Sequence, residues 1–370
     1  MGNPIGLRMV ALARRQLHTK QIKSILLVQL GDIGDVILTF PCIRALREHF
    51  PGAHLIVAVR DKARELIEDC PWADGVIAVS NEKRGLTRQM AYQKDFFLYL
   101  RRFRFDLAID MRTGTRGAIL SLVSGARQRV GYYSQNGRLW RNRVFTHLCL
   151  HEYTPSQHVA EYHLSLLAAY GLTTAHMRPE MQIPQKRKQE ALSLFRQEKI
   201  PLDRSAIVIQ PFSLWRYKEW GTAKYVQLID RITSRYGFPV VLTGSPAEST
   251  RASEITHACQ RGVYSLVGKT SIGTFSAVLE RARLFIGADS SGMHICGAVG
   301  TPTVTIFGPS SPVSWAPEGD QHLVVQKDLP CVPCRQKGCY DSEISRCLEE
   351  LTVEEVMVTV ERQLGKATGA

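Results

Sequence analysis

Short apolar, β-branched segments alternate with helix-patterned segments along most of this chain, and this alternation constrains the fold more than any other feature. The strand-like segments are 25–30, 55–59, 75–79 and 106–110, then 206–211, 239–244, 263–268, 283–289 and 303–309. Apolar runs of this length, separated by helical patterns, are typical of buried parallel strands in βαβ units. The sequence therefore predicts an α/β fold with parallel sheets.

The alternation restarts after a charged, proline-containing stretch near 173–186, and 370 residues are more than one ordinary core accommodates. Two doubly wound, Rossmann-like domains facing each other across a cleft are expected. The predicted parts are a basic extension at 1–22, an N-terminal Rossmann-like domain at 23–178, a C-terminal Rossmann-like domain at 187–350, and a helical segment at 351–370 that could pack back on the first domain.

The chain carries 47 lysines and arginines against 34 acidic residues, a net charge of +13. Such an excess favours anionic partners: nucleic acid, an acidic lipid surface or a phosphorylated sugar. The basic residues are dispersed and lack the interleaved aromatic residues of a nucleic-acid-binding module, which argues against nucleic acid. No run reaches the roughly 18 apolar residues of a membrane-spanning helix, and the N-terminus does not resemble a secretory signal. We therefore expect a cytoplasmic protein whose N-terminal extension is either a simple tail or a peripheral contact with a membrane surface.

The turn after the first strand, "GDIGDV" at 31–36, carries two glycines and two aspartates. It lacks the G-x-G-x-x-G spacing of a dinucleotide site and the G-K-[ST] of a P-loop, and a carboxylate there would repel a diphosphate. Asp35 falls in the first turn of the predicted helix. It could cap that helix, or it could serve as a base at the mouth of a cleft, and the residues alone leave both interpretations open.

Three strand ends in the second half carry residues suited to a nucleotide diphosphate. The segment "DSSG" at 289–292 offers hydroxyls and backbone N–H groups at a helix start, although an ordinary capped helix is the simpler interpretation. Lys218 could neutralise a phosphate, and Glu248 could accept hydrogen bonds from ribose hydroxyls. Because carboxyl ends of parallel strands meet at one edge of a sheet, these residues are expected to converge.

The chain resembles glycosyltransferase family 9, the ADP-heptose:lipopolysaccharide heptosyltransferases. The matching segments are "ILLVQLGDIGDVILTFPCIRALREHFPGAHL", "IVIQPFSLWRYKEW", "LTGSPAE", "GADSSGMHICGAVGTPTVTIFGPSSP" and the cysteine-containing tail, so that the likeness extends from about residue 23 to 362. It implies a GT-B fold in which the domain at 23–178 binds the acceptor and the domain at 187–350 binds the nucleotide sugar. It also implies inverting transfer of heptose from ADP-L-glycero-β-D-manno-heptose to the lipopolysaccharide inner core, with no metal cofactor required.

The resemblance also implies roles for individual residues. Asp35 takes the position of the general base. The donor-binding positions are Ser213, Lys218, Glu248, Thr270, Asp289, Ser290, Ser291, Gly292 and His294. The family's usual D-[ST]-G reads "DSSG" here, which puts in question the local backbone path and the roles of Ser291 and Gly292. A second departure is Leu214, which replaces a commonly polar residue. Acceptor-binding candidates for the anionic, phosphorylated inner core are Arg60, Lys62, Arg112, Arg116 and Arg138.

Two other functions remain open at this point. A transferase of the same fold could use a UDP- or GDP-sugar, and a non-catalytic, metal-stapled binding protein is conceivable because four cysteines cluster near the C-terminus. Cys331, Cys334, Cys339 and Cys347 have the spacing C-x2-C-x4-C-x7-C. The first pair suits zinc or iron, but the other gaps are not those of a standard finger, so reduced, packed thiols compete with a structural metal.

Overall fold

The structure is a computed structural model that describes residues 15–80, 82, 85–135 and 139–366. The chain divides into two compact units, Met1–Pro179 and Glu180–Ala370. Each unit contains one six-stranded sheet whose strands all pair in parallel.

In the first unit, β1 is followed by helices that alternate with the remaining strands. The strands are β1 (Ser24–Gln29), β2 (His54–Arg60), β3 (Gly75–Val79), β4 (Leu107–Asp110), β5 (Gln128–Tyr132) and β6 (His147–Cys149). The helices are α1 (Ile33–Ile37), α2 (Phe40–His49), α3 (Arg64–Glu68), α4 (Leu86–Arg102), α5 (Thr115–Val123), α6 (Leu139–Val144) and α7 (Val159–Ala168). The strand order is β3-β2-β1-β4-β5-β6.

The second unit repeats this arrangement. Its strands are β7 (Ile207–Gln210), β8 (Val240–Leu242), β9 (Tyr264–Ser265), β10 (Leu284–Ala288), β11 (Thr303–Phe307) and β12 (His322–Gln326). Its helices are α8 (Gln185–Gln197), α9 (Thr222–Tyr236), α10 (Ser249–Ala258), α11 (Ile272–Arg281), α12 (Ser291–Val299), α13 (Pro312–Trp315), α14 (Arg346–Glu349) and α15 (Val353–Lys366). The order β12-β11-β10-β7-β8-β9 is the first sheet's order again.

The central strands are buried along most or all of their length, as the continuous apolar runs predict. Every residue of β1, β10 and β11 is buried, which requires helices over both faces of each sheet. The strand order of each sheet reverses between its two central strands, β1 and β4 in the first unit and β7 and β10 in the second. In open α/β sheets, the crevice at this reversal is the usual place for a ligand.

Three strands do not appear among the sequence-based expectations: β5, β6 and β12. Each is short, lies away from the centre of its sheet, and carries polar residues or glycine, as in "QRVGY" and "HLC". The helical pattern over 35–50 also proves to be two helices. Thr39 is the N-cap of the second, and Pro41 lies in its first turn.

The C-terminal segment contributes a helix, α15, to the second unit. Helix α15 packs on α9, β11 and β12 of its own unit. Val356 and Val360 are fully buried in the same hydrophobic core as Ile207 and Val304. An apolar stripe on this helix covers a face of the second sheet that would otherwise meet water. Over the described residues, no helix is both long and apolar enough to cross a membrane.

Candidate active site

Asp35 lies at the reversal point of the first sheet, on the third residue of α1. Its Oδ2 atom accepts hydrogen bonds from the Asp32 backbone N–H at 2.8 Å and from Arg112 Nη1 at 2.9 Å. The side chain is 17% exposed, and its Oδ1 atom has no hydrogen bond to any residue that the structure describes. One carboxylate oxygen is therefore held in place while the other is available to a ligand.

Asp35 also takes part in capping its helix. Asp32 is the N-cap residue, and the two aspartates exchange side-chain-to-backbone hydrogen bonds in a capping box. Gly31 makes room for this arrangement, because a Cβ there would lie 2.4 Å from Asp35 Oδ2 and 2.5 Å from Arg112 Nη1. The cap and the base are thus compatible, since capping occupies Oδ2 alone.

Asp32 binds two of the other basic candidates, Arg60 and Lys62. Its Oδ1 atom accepts hydrogen bonds from Lys62 Nζ at 2.7 Å and Arg60 Nη1 at 3.1 Å. Burial by itself raises the pKa of Asp32, but the hydrogen bond and charge of Lys62, with the charges of Arg60 and Arg112, outweigh it and hold the pKa below its usual value. Arg60, Lys62 and Arg112 therefore belong to one cationic cluster around two carboxylates.

Two basic candidates remain, Arg116 and Arg138. Arg116 donates to the Ser80 backbone carbonyl at 2.8 Å. Arg138 lies outside the described residues. Its assignment to the acceptor rests on the sequence alone.

A buried polar chain supports the Asp35 turn from below. Gln29, the last residue of β1, accepts from the Gly31 N–H at 3.1 Å and donates to Thr39 Oγ1 at 2.8 Å. Thr39 in turn donates to the Asp35 carbonyl at 2.8 Å and lies 3.1 Å from His163 Nδ1. Gln29 is fully buried and His163 is 4% exposed, so this chain is shielded from water. This buried chain therefore binds the backbone at two points of the turn, the Gly31 N–H and the Asp35 carbonyl.

His163 is expected to make the protein less stable in mild acid. Burial lowers its pKa to about 4, although the nearby Asp35 charge acts in the opposite direction, whereas an unfolded histidine has a pKa of 6.5. The unfolded chain therefore binds the proton more readily, and the free energy of unfolding falls as the pH drops through 6.5. Between pH 7 and pH 5, protonation of this histidine should lower the free energy of unfolding by about 2 kcal/mol.

Chemical denaturation of the wild type and His163→Gln at both pH values measures this contribution. Glutamine keeps a side chain able to hydrogen-bond Thr39 but does not titrate, so the variant should lose about 2 kcal/mol less than the wild type on acidification. Equal losses in the two proteins would contradict the assignment.

The second unit has its own cluster at the carboxyl ends of β7 and β10. Lys218 Nζ donates to Asp289 Oδ2 at 2.6 Å, and the two side chains are 18% and 3% exposed. The sequence predicts Lys218 as a counter-charge for phosphate, and the structure pairs it with an acidic residue. An ammonium group has three N–H donors, so this pair leaves donors that could reach a phosphate oxygen.

Gln210 organises the "DSSG" turn and did not emerge from the sequence. Its Oε1 atom accepts from Ser290 Oγ at 2.9 Å and from the Gly292 N–H at 3.2 Å. A Cβ on Gly292 would lie 2.4 Å from that oxygen. The displaced glycine therefore lets the start of α12 approach Gln210 closely. The two reversal points are alike in this respect, because Gln29 and Gln210 each end a central strand and accept a backbone N–H, from Gly31 in the loop after β1 and from Gly292 in the first turn of α12.

The other donor-binding candidates lie on loops and helices of the second unit. Glu248 Oε2 accepts from the Ser245 N–H at 2.6 Å, in a capping box that precedes α10. The Ser213 N–H donates to Glu219 Oε1 at 3.1 Å. The half-buried Thr270 precedes the N-cap residue of α11, and Ser291 begins α12. His294 is 7% exposed, and its ring meets that of Trp315 edge-on at 6.1 Å.

The structure does not support the metal site that the spacing of the cysteine cluster allows. Among the described residues, no group of three or more histidine, cysteine or acidic side chains could hold a metal ion, and the four cysteines are free. Cys347 is buried, and burial raises its pKa to about 11. Cys331 is exposed, so packed thiols describe only part of the cluster.

Two Rossmann-like units, each with a polar cluster at its strand-order reversal, are typical of the GT-B glycosyltransferases. The chain belongs to glycosyltransferase family 9 (heptosyltransferase), whose model matches residues 95–344. This confirms the resemblance drawn from the sequence motifs, and the enzyme is a glycosyltransferase.

Individual relatives agree with this assignment. Lipopolysaccharide heptosyltransferase 3 of Escherichia coli is 30% identical over 294 residues, covering 77% of this chain and 83% of the relative. The lipopolysaccharide core heptosyltransferase OpsX of Haemophilus influenzae is 23% identical over 311 residues, covering 84% and 86%. Among solved structures, E. coli ADP-heptose lps heptosyltransferase II superposes with a TM-score of 0.77 at 20% identity, covering 94% of this chain and 100% of that one. This confirms the predicted fold.

Proposed function

We propose that this enzyme transfers a heptose from an ADP-heptose donor to the inner core of lipopolysaccharide. Support comes from the family and from the names of the relatives, which are lipopolysaccharide heptosyltransferases. The observation that carries the proposal is the pair of reversal-point clusters: a carboxylate with one unbound oxygen in the first unit and a lysine beside a helix start in the second.

In the first unit, Asp35 is the general base. Its Oδ1 atom accepts the proton of an acceptor hydroxyl while that oxygen forms a bond to the anomeric carbon of the heptose. The bond from the anomeric carbon to the diphosphate breaks on the opposite side, so that the configuration inverts and ADP leaves with the electron pair. Fixing Oδ2 through Asp32 and Arg112 orients Oδ1 before the acceptor arrives.

In the second unit, Lys218 and the start of α12 stabilise the departing ADP. The ammonium group of Lys218 and the N–H groups near Ser290 and Ser291 are suited to the negative charge that develops on the diphosphate. Asp289 positions Lys218, while Glu248 and Thr270 contact the nucleoside. These groups supply the charge stabilisation for which other transferases use a divalent cation, so no added metal is required.

The first unit holds the acceptor through its basic cluster. Arg60, Lys62 and Arg112 surround the candidate base, and their charges suit a phosphorylated, acidic sugar core. Because that acceptor is attached to a lipid, we place the enzyme at the cytoplasmic face of the inner membrane. The N-terminal extension, with its excess of basic residues, is the proposed contact with the membrane surface.

The most informative test uses the purified enzyme, ADP-heptose and a series of truncated lipopolysaccharide acceptors, with the products weighed by mass spectrometry. A gain of one heptose on one acceptor, maintained in excess EDTA, is the expected result. Transfer from a UDP- or GDP-sugar instead would contradict the donor assignment. Turnover lost in EDTA and restored by magnesium or manganese would contradict metal independence.

Nucleotide binding provides a second test that needs no acceptor. ADP is expected to raise the melting temperature more than UDP or GDP, because the proposed donor site recognises adenosine. Glu248→Ala should weaken ADP binding by roughly 10-fold, since one charged hydrogen bond contributes about 1.5–3 kcal/mol, part of which water recovers. Glu254→Ala, further along α10, is the matched control and should bind ADP normally. Equal stabilisation by the three nucleotides would contradict an adenine site.

A further inference from the structure

We propose that Asp110 and Arg141, a buried ion pair beside the candidate base, are positioning residues that hold Arg112 against Asp35. The inference rests on the proposed function of this site and extends it to residues that neither touch Asp35 nor reach solvent. Asp110 is the last residue of β4, and Arg141 lies on α6. The exposed fractions of the two residues are 1% and 0%.

Arg141 binds the backbone of the segment that carries Arg112. Its Nη2 atom donates to the Arg112 carbonyl at 2.8 Å, and its Nε atom lies 3.5 Å from the Gly114 carbonyl. Its Nη1 atom donates to the Tyr132 carbonyl at 2.5 Å, at the end of β5. One planar guanidinium thus ties the 112–114 segment to a neighbouring strand.

Asp110 completes the connection from the other side. Its Oδ1 atom accepts from the Arg112 N–H at 3.2 Å, and its Oδ2 atom lies 3.5 Å from Arg141 Nη2. Gly117 permits this close packing, because a Cβ there would lie 2.3 Å from Asp110 Oδ1. The N–H and the carbonyl of Arg112 are therefore both bound to the same buried pair.

The Arg112 side chain needs such support. It is 45% exposed, and an exposed arginine–carboxylate pair alone holds its geometry only weakly. A buried ion pair, for its part, is an inefficient way to stabilise a fold, because both charges lose their hydration. Its effect is to fix the backbone, and here the fixed residue donates to the oxygen of the candidate base. The pair acts on turnover through Arg112.

The test is a double-mutant cycle on heptosyl turnover. Asp110→Asn combined with Arg141→Met removes both charges together, so that no unpaired charge remains buried, and asparagine still accepts from the Arg112 N–H. This variant should lose roughly 10- to 100-fold in turnover, the scale expected when a catalytic group shifts by up to about 1 Å. In an Arg112→Ala background, the same two substitutions should cause no further loss. Hydrogen exchange of the amides at 111–114 should be faster in the variant.

A more exposed pair that also binds several backbone carbonyls, at the opposite end of the sheet, serves as control. Arg47 donates to the carbonyls of Trp72, Pro51 and Ala53 and pairs with Asp74 at 2.5 Å. Asp74→Asn with Arg47→Met should lower the melting temperature without changing turnover.

Equal losses of turnover with and without Arg112, or an equal loss in the control variant, would overturn the inference. Should the wild type transfer no heptose, the proposed function fails by itself. The exchange measurement then decides the positioning role, and unchanged exchange at 111–114 would refute it.

Discussion

Replacing Asp35 with asparagine is expected to lower heptosyl turnover by roughly two to four orders of magnitude, the usual span for loss of a general base. Asparagine is nearly isosteric, its Oδ1 can accept from the Asp32 N–H and from Arg112, and it caps helices well. The fold should therefore survive. ADP binding should be unchanged, because the proposed donor residues belong to the second unit. Single-turnover rates with ADP-heptose and acceptor, together with ADP titration, measure both quantities.

Asp32→Asn is the matched control for this substitution. Asp32 belongs to the same capping box, but its side chain is engaged by Arg60 and Lys62. Its substitution should change acceptor affinity more than the rate of the bound complex. A stable Asp35→Asn enzyme with near-normal turnover would reduce Asp35 to a helix cap, and the base would have to be another residue.

The sequence predicts the central strands and the edge strands β3 and β9, but it misses β5, β6 and β12. β1, β10 and β11 are covered on both faces, so nearly every residue must be apolar and the run is conspicuous. β5 and β6 are short and contain polar residues or glycine, so no continuous apolar run marks them in the sequence. The sequence does not predict where α15 packs, because its apolar stripe indicates that the helix covers a sheet but does not indicate which one.

The sequence likewise predicts only part of the candidate site. Strand ends locate Asp35, Lys218 and Asp289, because parallel topology brings those ends together. Their partners are harder to predict because they are distant in sequence. Arg112 is 77 residues from Asp35, and Lys218 is 71 residues from Asp289. The glutamines could have been noticed, since "LLVQLG" and "IVIQP" each place one polar residue at the end of an apolar strand. Arg141 has no such signal, because a buried arginine on a short, arginine-rich helix resembles a solvated one.

Lys218→Met is expected to lower heptosyl turnover by roughly 10²–10³-fold, the cost of removing one preorganised charge from the transition state of a leaving group. The substitution also leaves Asp289, which is 3% exposed, without its cation, and an unpaired buried carboxylate costs about 3–5 kcal/mol of stability. Loss of fold and loss of chemistry must therefore be separated. Combining Lys218→Met with Asp289→Asn removes the stranded charge, so the melting temperature should recover while turnover stays low.

Lys188→Met, which breaks a 2.8 Å pair between Lys188 and Glu280, provides the control for a lysine distant from the strand ends and should keep full turnover. The measurement that identifies the chemistry is the dependence of turnover on the leaving group. Donors whose diphosphate leaves more easily should narrow the gap between the wild type and the double variant, because a better leaving group relies less on Lys218. A gap that stays constant would mean that Lys218 holds the donor in place and contributes nothing to its departure.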